Sequence, residues 1–379
     1  MSIFGTVLTA SVTLLHLYVF WRLDALSFRR QRVSRKLLVG SGVTIWVIFL
    51  LGRMYGGNDG GLLSLILEFA GMHWMASVFL LAVGFLITDL LTGFGFLFRR
   101  QAQRLRALGF LGGLAMVAIA HVQGLRPPVI EQYTLPVAEL PASLDGTTLV
   151  MMSDMHTGEM GIDERWMAAR IAQVMALQPD LVVLVGDMFE RSTDPAAMAP
   201  AMRHLRAPMG VYAVRGNHDA YRPNRRDVAG EILRGAGIRL LQNKWVQPAE
   251  GLVLAGINDL TSARRSGGLG EAYLDSALTG RPSMPTILLS HTPWLTGRVA
   301  DSGVEIMLSG HTHNGQIWPF NYLVRREYPH VGGRYDMGGT TLIVGRGTGT
   351  WGPRMRLWKP GEITRITLRS TQIRNNQYE

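Results

Sequence analysis

Long apolar stretches separated by short basic loops fill the first third of the 379-residue chain. Four almost uncharged runs cover residues 3–21, 37–51, 62–98 and 107–123. The third run is interrupted only by Glu68 and Asp89. Because a helix needs about 20 apolar residues to cross a bilayer, we expect this run to span at 72–91, with an amphipathic lead-in at 62–70. The pattern predicts a membrane domain of about four transmembrane helices over residues 1–126.

From residue 147 onward, short aliphatic runs alternate with stretches of helical spacing. The runs with the length of strands are 147–152, 181–185, 211–214, 252–255, 286–289, 304–308, 341–344 and 363–368. Helices are predicted at 163–177, 195–206 and 227–235. This alternation is typical of a layered α/β domain, which we place at 147–370. Residues 127–146, with four prolines, are predicted to form a linker and an edge strand, and 371–379 a polar tail.

The formal net charge of +10 is concentrated in the membrane part of the chain. Residues 1–130 carry 12 Lys and Arg against 4 Asp and Glu, whereas the rest of the chain carries 26 against 24. A nearly neutral second part lacks the broad basic surface of a nucleic-acid-binding protein, so no nucleic-acid partner is expected. Because the chain has no cysteine, any metal ion must be held by nitrogen and oxygen donors.

Polar side chains that can bind metals follow five of the predicted strands. They are Asp154 and His156, Asp187, Asn217 and His218, His291, and finally His311 and His313. Sites in open α/β sheets form at the carboxyl ends of the strands, so we expect these residues to meet in space. Without His218 they supply seven donors, which is too many for one tetrahedral zinc ion. We therefore expect two metal ions, with the central carboxylate of Asp187 as the bridge.

A two-metal centre is suited to displacement at phosphorus, because it generates hydroxide at neutral pH and stabilises the attacking and leaving oxygens. His218 is not needed as a ligand and is suited to protonate the leaving oxygen. Manganese is the favoured ion among manganese, iron, zinc and magnesium. Arg222, Arg225 and Arg226 follow His218 and are candidates to hold a substrate phosphate, although arginine-rich loops are more often simply solvated.

The chain resembles the calcineurin-like metallophosphoesterase superfamily over about residues 128–370. The motifs that carry the resemblance, in the family's order, are Asp154-Met155-His156, Gly186-Asp187, Gly216-Asn217-His218-Asp219, His291 and Gly310-His311-Thr312-His313. The resemblance implies an α/β fold, a four-layer α/β/β/α sandwich of two mixed sheets flanked by helices. It also implies one metal on Asp154, His156, Asp187 and His313, and a second on Asp187, Asn217, His291 and His311. His218 is the implied acid or transition-state donor, with Asp219 orienting it.

Two segments, 310–317 and 345–356, further resemble a bacterial branch of membrane-linked or exported phosphoesterases. Some relatives of that branch are associated with cleavage of the UDP-diacylglucosamine pyrophosphate bond in lipid A synthesis. The chain departs from the family at Glu190, where many members carry Asp, and at Asn314, where Gly is common in the branch. Neither position is an expected ligand, so these departures bear on substrate preference.

These patterns predict a membrane-anchored metal-dependent phosphoesterase that acts on a phosphodiester or pyrophosphate, with a lipid-linked or nucleotide-linked substrate among the alternatives. A different reading is a catalytically silent binding or scaffold module on a membrane anchor, but the complete set of ligands argues against it. A third is a transporter or sensor. Against that reading, we expect the helices to lack the paired charges and proline-broken segments of a substrate path.

The basic residues of the loops predict the orientation in the membrane. Ten Lys and Arg lie in the first and third loops, against Arg53 in the second and Arg126 after the last span. Basic loops remain cytoplasmic, so four spans place both termini and the catalytic domain on the extracytoplasmic side of the inner cell membrane. The resemblance to lipid A enzymes favours the cytoplasmic side instead. We give the charge pattern precedence, because fold-level analogy transfers function loosely.

Overall fold

The computed structural model describes residues 3–26, 32–56, 61–158, 162–190, 192–219, 226–268 and 270–371. The chain divides into two compact units. The first comprises Met1–Leu125 and Gly352–Trp358, and the second comprises Arg126–Trp351 and Lys359–Glu379. Almost all of the predicted polar tail, residues 372–379, lies outside the described residues, as do Arg222 and Arg225.

Four long helices account for most of the described residues before Arg126. They are α1 (Ile3–Asp24), α2 (Arg35–Tyr55), α3 (Gly61–Leu91) and α4 (Arg99–Leu125). All four are long and apolar enough to cross a membrane. α3 runs without a break through the predicted lead-in, and 50% of its apolar window is buried, against 11–22% in the other three. α3 is therefore the central helix, against which the other three pack.

A buried group of charges joins three of these helices. The carboxylate of Asp89 on α3 is fully buried and lies 2.6 Å from Arg22 Nε of α1 and 3.5 Å from Arg106 Nε of α4. The Tyr18 hydroxyl donates a hydrogen bond to the same carboxylate at 2.6 Å. The expectation that the helices lack paired charges is therefore wrong. A buried carboxylate needs such partners, because an unpaired charge in this setting is strongly destabilising.

The first sheet of the second unit has six strands in the order β1-β12-β2-β3-β4-β5. They are β1 (Val129–Val137), β2 (Thr148–Met152), β3 (Leu181–Val185), β4 (Val211–Val214), β5 (Arg239–Leu240) and β12 (Glu362–Ser370). β2 to β5 are parallel, whereas β12 runs antiparallel to β2. The carboxyl ends of β2, β3 and β4 therefore lie at the same edge of this sheet.

The second sheet also has six strands, in the order β10-β11-β9-β8-β7-β6. They are β6 (Lys244–Ala249), β7 (Leu252–Gly256), β8 (Thr286–Leu289), β9 (Ile306–Ser309), β10 (Gly333–Asp336) and β11 (Thr341–Val344). The four central strands are parallel, and the two edge strands β6 and β10 are antiparallel to their neighbours. The carboxyl ends of β8 and β9 consequently share one edge.

Successive side chains of each strand pack into different layers. Residues such as Met151 and Val183 of the first sheet join Leu289 and Leu308 of the second in one core between the sheets. The other face of the first sheet packs against α5 (Glu164–Met175), α6 (Pro195–Met202) and α7 (Val228–Ala236). The other face of the second sheet packs against α8 (Leu260–Arg265), α9 (Glu271–Leu278) and α10 (Thr296–Asp301). The predicted four-layer sandwich of two mixed sheets is confirmed.

The elements missed by the sequence pattern are short or exposed. The strands predicted at 181–185, 211–214, 286–289 and 341–344 have those bounds in the structure, and each is largely or fully buried. β5, β6 and β10 are partly exposed. Helices α8 to α10 and a further one, α11 (Asn321–Glu327), have only six to eight residues each. Such segments are too short to show a clear hydrophobic period.

Candidate metal centre

The loops after β2, β3 and β4 of the first sheet and after β8 and β9 of the second carry all of the predicted ligands. Backbone hydrogen bonds join these loops in pairs. Asp154 N donates to Gly186 O at 3.0 Å, and His156 N donates to Asp187 O at 3.1 Å. In the second sheet, Gly310 N donates to the carbonyl of His291 at 2.9 Å. The first two of these links hold the β2 loop against the β3 loop, and the third holds the β9 loop against the β8 loop.

The backbone is strained at the site residues themselves. Positive φ angles occur at Asp154 (52°), His156 (48°), Asp187 (50°), His311 (71°) and His313 (49°). This left-handed conformation is unfavourable for residues with a side chain, at about 1–3 kcal/mol each, and persists only where surrounding structure enforces it. Its concentration at five of the predicted ligands is characteristic of a functional site.

Glycine is required where these loops approach one another most closely. Gly186 has a φ of 78°, and a Cβ there would lie 2.8 Å from the backbone nitrogen of Gly216 and 2.6 Å from Cγ of His291. Neither neighbour is the end of a flexible side chain, so neither is able to yield at small cost. Any other residue at position 186 would push the β3 loop away from its neighbours, which carry ligands from both sheets.

One group of donors is formed by Asp154, His156 and His313, whose ligand atoms lie within 4.8 Å of one another. The two Nε2 atoms of His156 and His313 are 3.1 Å apart. Asp154 Oδ1 is 3.5 Å from His313 Nε2, and Asp187 Oδ2 is 3.9 Å from His156 Nε2. Two imidazole nitrogens and a carboxylate thus point at a common space.

A second group comprises Asp187, His291 and His311, again with ligand atoms within 4.8 Å. Asp187 Oδ2 is 3.1 Å from His291 Nε2, which in turn is 3.3 Å from His311 Nδ1. The same oxygen of Asp187 therefore faces both groups, as a bridging carboxylate would.

Two buried oxygens test whether these residues fit metal ions. Among the described residues, Asn217 Oδ1 and Asp154 Oδ2 have no hydrogen-bond partner. Buried polar atoms are normally paired, and both belong to residue types that ligate divalent metals. Together with the converging imidazole nitrogens, they show that the donor set fits divalent metal ions.

Two of the histidines, His156 and His291, are held on the ring nitrogen that faces away from the donors. His156 Nδ1 donates to Glu190 Oε1 at 2.6 Å, and His291 Nδ1 donates to the carbonyl of Val185 at 2.9 Å. Each bond places the proton on Nδ1 and leaves the lone pair of Nε2 directed into the donor group. Metal-binding histidines are normally fixed by a partner in this way.

Comparison with known proteins identifies the domain. A family model described as calcineurin-like phosphoesterase matches residues 147–315. An uncharacterized metallophosphoesterase of Aquifex aeolicus is 32% identical, and the match covers 63% of this chain and 91% of that protein. The chain belongs to the calcineurin-like phosphoesterase family.

Two further relatives are named as transmembrane proteins. Proteins named "Transmembrane protein with metallophosphoesterase domain" from Danio rerio and Bos taurus are 34% and 32% identical, over 68% and 70% of this chain. The match covers 62% of the length of each, so this chain corresponds to somewhat less than two thirds of those relatives.

Within this phosphoesterase domain, Glu190 contacts two residues of the candidate site although the sequence pattern predicts no role for it. Its Oε1 accepts hydrogen bonds from Nδ1 of both His156, at 2.6 Å, and His218, at 2.7 Å. In the sequence, position 190 stands out only as a departure from the family pattern. A carboxylate three residues after Asp187 was the available signal, but the sequence does not show which side chains it reaches.

Asp219, the residue expected to orient His218, hydrogen-bonds to backbone nitrogens of the neighbouring loops. The Asp219 carboxylate accepts from the backbone nitrogens of Met188 and Gly216 at 3.1 Å and of Phe189 at 2.9 Å. Its oxygens are thus occupied by the backbone of the β3 and β4 loops. Asp219 is thus bound to the backbone of these loops, and Glu190 is the carboxylate that hydrogen-bonds to the His218 ring; the orienting role expected of Asp219 stays a prediction.

The Glu190–His218 pair is charged at neutral pH. Burial lowers the pKa of His218, but the carboxylates of Asp187 and Glu190 outweigh it and raise this pKa to about 9. Burial raises the pKa of Glu190, but its hydrogen bonds with the two histidines bring it down to about 2. The edge of the Trp351 ring lies against His218, with centroids 6.3 Å apart. His218 is therefore a protonated side chain at the margin of the donor groups, where it belongs to a cluster with His156 and Asp187.

Of the three candidate phosphate-binding arginines, only Arg226 is among the described residues. Its guanidinium forms a forked pair with Glu231, at 2.8 to 3.1 Å, and 67% of its side chain is exposed. An exposed arginine with its own carboxylate partner is a solvated surface residue. The structure thus gives no support to Arg226 as a substrate ligand.

Proposed function

We propose that this protein is a membrane-anchored phosphoesterase with a two-metal centre that hydrolyses a phosphodiester or pyrophosphate bond. The observation that carries the proposal is the convergence of donors from four strand ends into two groups, with Asp187 Oδ2 of the second group also 3.9 Å from His156 Nε2 of the first. Family membership supports the same chemistry. A catalytically silent module would have no physical need for this strained and complete set of donors.

In the proposed centre, each ion has four protein ligands. Asp154, His156, Asp187 and His313 hold the first ion, and Asp187, Asn217, His291 and His311 hold the second. Manganese is the ion that we favour, because all donors are nitrogen or oxygen. When bound, the two ions supply a water-derived nucleophile at neutral pH and offset the charge that develops on the phosphoryl group.

His218 acts on the leaving group in this proposal. Its Nδ1 is held by Glu190, so Nε2 is the atom available to protonate the leaving oxygen. The neighbouring carboxylates keep the ring protonated at neutral pH, which is the state that a general acid requires. The Asp219–backbone bonds support this role indirectly, because they fix the loop that carries His218.

The four apolar helices anchor the enzyme as a multi-pass protein of the inner membrane, with the catalytic domain on the extracytoplasmic side. Of the ten basic residues counted in the cytoplasmic loops, Arg22 and Arg106 lie within α1 and α4 and pair with Asp89. The remaining eight still outnumber Arg53 and Arg126, which supports the same orientation. A substrate with a lipid anchor would be within reach of an enzyme held at the membrane.

The central experiment measures metal content and hydrolysis on the full-length protein in nanodiscs. The metal-free protein should be inactive towards bis(4-nitrophenyl) phosphate, and addition of manganese should restore hydrolysis with two ions bound per chain. Asp187→Asn should weaken the binding of both ions, because this side chain faces both donor groups. Asp275→Asn, at an exposed carboxylate paired with Arg298, is the matched control and should leave both properties unchanged.

The results separate the alternatives. One ion per chain at saturation would contradict the two-metal centre. Two bound ions without turnover of any phosphodiester or pyrophosphate would contradict the enzymatic function and favour the binding module. If the Asp187→Asn protein loses only one of the two ions, Asp187 does not bridge them.

A further inference from the structure

We propose that Tyr328 is a positioning residue of the metal centre, which fixes His311 and thereby sets the affinity for the second ion. This inference rests on the two-metal centre proposed above. Tyr328 follows the short helix α11 and has no place among the motifs that define the family. Its hydroxyl lies 2.8 Å from Nε2 of His311, and the two rings meet edge to face with centroids 5.0 Å apart.

The direction of this hydrogen bond follows from the orientation of the histidine. His311 turns Nδ1 towards the donors, at 3.3 Å from Nε2 of His291. An imidazole that offers the lone pair of Nδ1 to a metal must carry its proton on Nε2. With a metal on Nδ1, the N–H of His311 therefore donates to the oxygen of Tyr328, which accepts this bond and holds the ring in the orientation that is able to bind.

His311 is oriented in the opposite sense to two other ligands. His156 and His291 are held on Nδ1, by Glu190 and by the Val185 carbonyl, and present Nε2. His311 is held on Nε2 and presents Nδ1. In the described part of the chain the His311 ring hydrogen-bonds to no backbone carbonyl, so Tyr328 is the group that holds its Nε2.

The position of Tyr328 is itself secured by a stack of side chains. Its ring lies parallel to that of Trp294, with centroids 5.6 Å apart and an angle of 11° between planes. The guanidinium of Arg264 covers Trp294 at 5.2 Å and pairs with Glu327, next to Tyr328 in sequence, at 2.9 Å. This packing holds the hydroxyl in place, which is what a positioning residue requires.

The loss of the Tyr328 hydroxyl should lower the affinity for the second ion only. Removal of a partner that orients a metal-binding histidine typically weakens metal affinity by about 10- to 100-fold. The first ion has no contact with His311 in the proposed centre, so its affinity should not change. Tyr328→Phe keeps the aromatic ring and its stack on Trp294, and it removes only the acceptor for the N–H of His311.

The test is an equilibrium titration of metal-free full-length protein with manganese, with the bound ions counted by elemental analysis. For Tyr328→Phe we expect an unchanged first affinity and a second affinity about 10- to 100-fold weaker. Tyr322→Phe is the matched control, because Tyr322 lies on α11, the helix that Tyr328 follows, and is 58% exposed. It should bind both ions as the unaltered protein does.

A double-mutant cycle distinguishes positioning from a general effect on folding. In a His311→Ala background, the second affinity should already be low, and Tyr328→Phe should weaken it no further. If Tyr328→Phe binds the second ion normally, or if it weakens binding equally with and without His311, the inference is overturned. If the unaltered protein binds two ions and hydrolyses a phosphodiester, the proposed function stands in either case.

Discussion

Replacement of Glu190 by glutamine tests the electrostatic core of the site with a minimal change of shape. Glu190 is only 8% exposed, and one of its oxygens accepts from both His156 and His218, at 2.6 and 2.7 Å. Such short bonds to a charged acceptor are charge-assisted. Glutamine keeps an oxygen at this place, but it removes the negative charge that both imidazoles face.

The size of the effect follows from these two bonds. A hydrogen bond to a charged group contributes about 1.5–3 kcal/mol and a neutral one about 0.5–1.5 kcal/mol, so the exchange loses about 1–1.5 kcal/mol at each histidine. Together this is about 2–3 kcal/mol, which corresponds to a decrease of about 30- to 150-fold in kcat/KM. His156 contributes through weaker metal binding and His218 through weaker protonation of the leaving group.

The pH profile shows whether His218 is involved. Glu190 is one of the carboxylates that raise the pKa of His218 to about 9. If protonated His218 is the active form, activity falls at alkaline pH as the ring loses its proton. Removal of the negative charge lowers the pKa, so the alkaline decline of Glu190→Gln should begin at a lower pH than in the unaltered protein.

The assay compares kcat/KM against pH for the full-length protein at one fixed manganese concentration that is below saturation. Glu190→Asp retains the charge on a shorter side chain and should lose less activity than Glu190→Gln. Glu305→Gln, at a half-buried carboxylate that accepts from Thr286 N outside the donor groups, should behave as the unaltered protein. The reasoning is refuted if Glu190→Gln retains normal kcat/KM, or if its activity falls without any displacement of the alkaline decline.

Two predictions concern the acid and the membrane orientation. His218→Ala should keep both metal ions but lower turnover of alkyl phosphodiesters by about 10²–10⁴-fold, with a smaller effect on nitrophenyl esters, whose leaving group needs no proton; loss of metal in this variant would contradict its assignment as an acid. A C-terminal fusion to alkaline phosphatase should be active and one to a reporter that fluoresces only in the cytoplasm should be dark, because the basic loops place the catalytic domain outside. The opposite pair of results would mean that the orientation is inverted, and would favour a cytoplasmic lipid precursor as substrate.

Local sequence patterns predicted most of the residues of the candidate site. Short aliphatic runs such as 181–185 predict buried strands, and parallel strands necessarily bring their carboxyl ends to one edge. Asp187 and His291 each follow such a run after one intervening residue. Backbone geometry therefore places them at the carboxyl edge of a sheet. The length and low charge of the four N-terminal runs predict their helices for an equally local reason, since a helix satisfies its own backbone hydrogen bonds.

The contacts between side chains of different elements depend on tertiary packing, which local sequence patterns do not predict. Glu190 hydrogen-bonds to His218, and Tyr328 hydrogen-bonds to His311. In the membrane part, Asp89 pairs with Arg22 and Arg106 of two other helices. Each partner is chosen by the crossing of loops or helices that are distant in sequence. Spacing along the chain predicts the direction of a side chain on its own strand or helix, but the distance to a second element depends on how the layers pack.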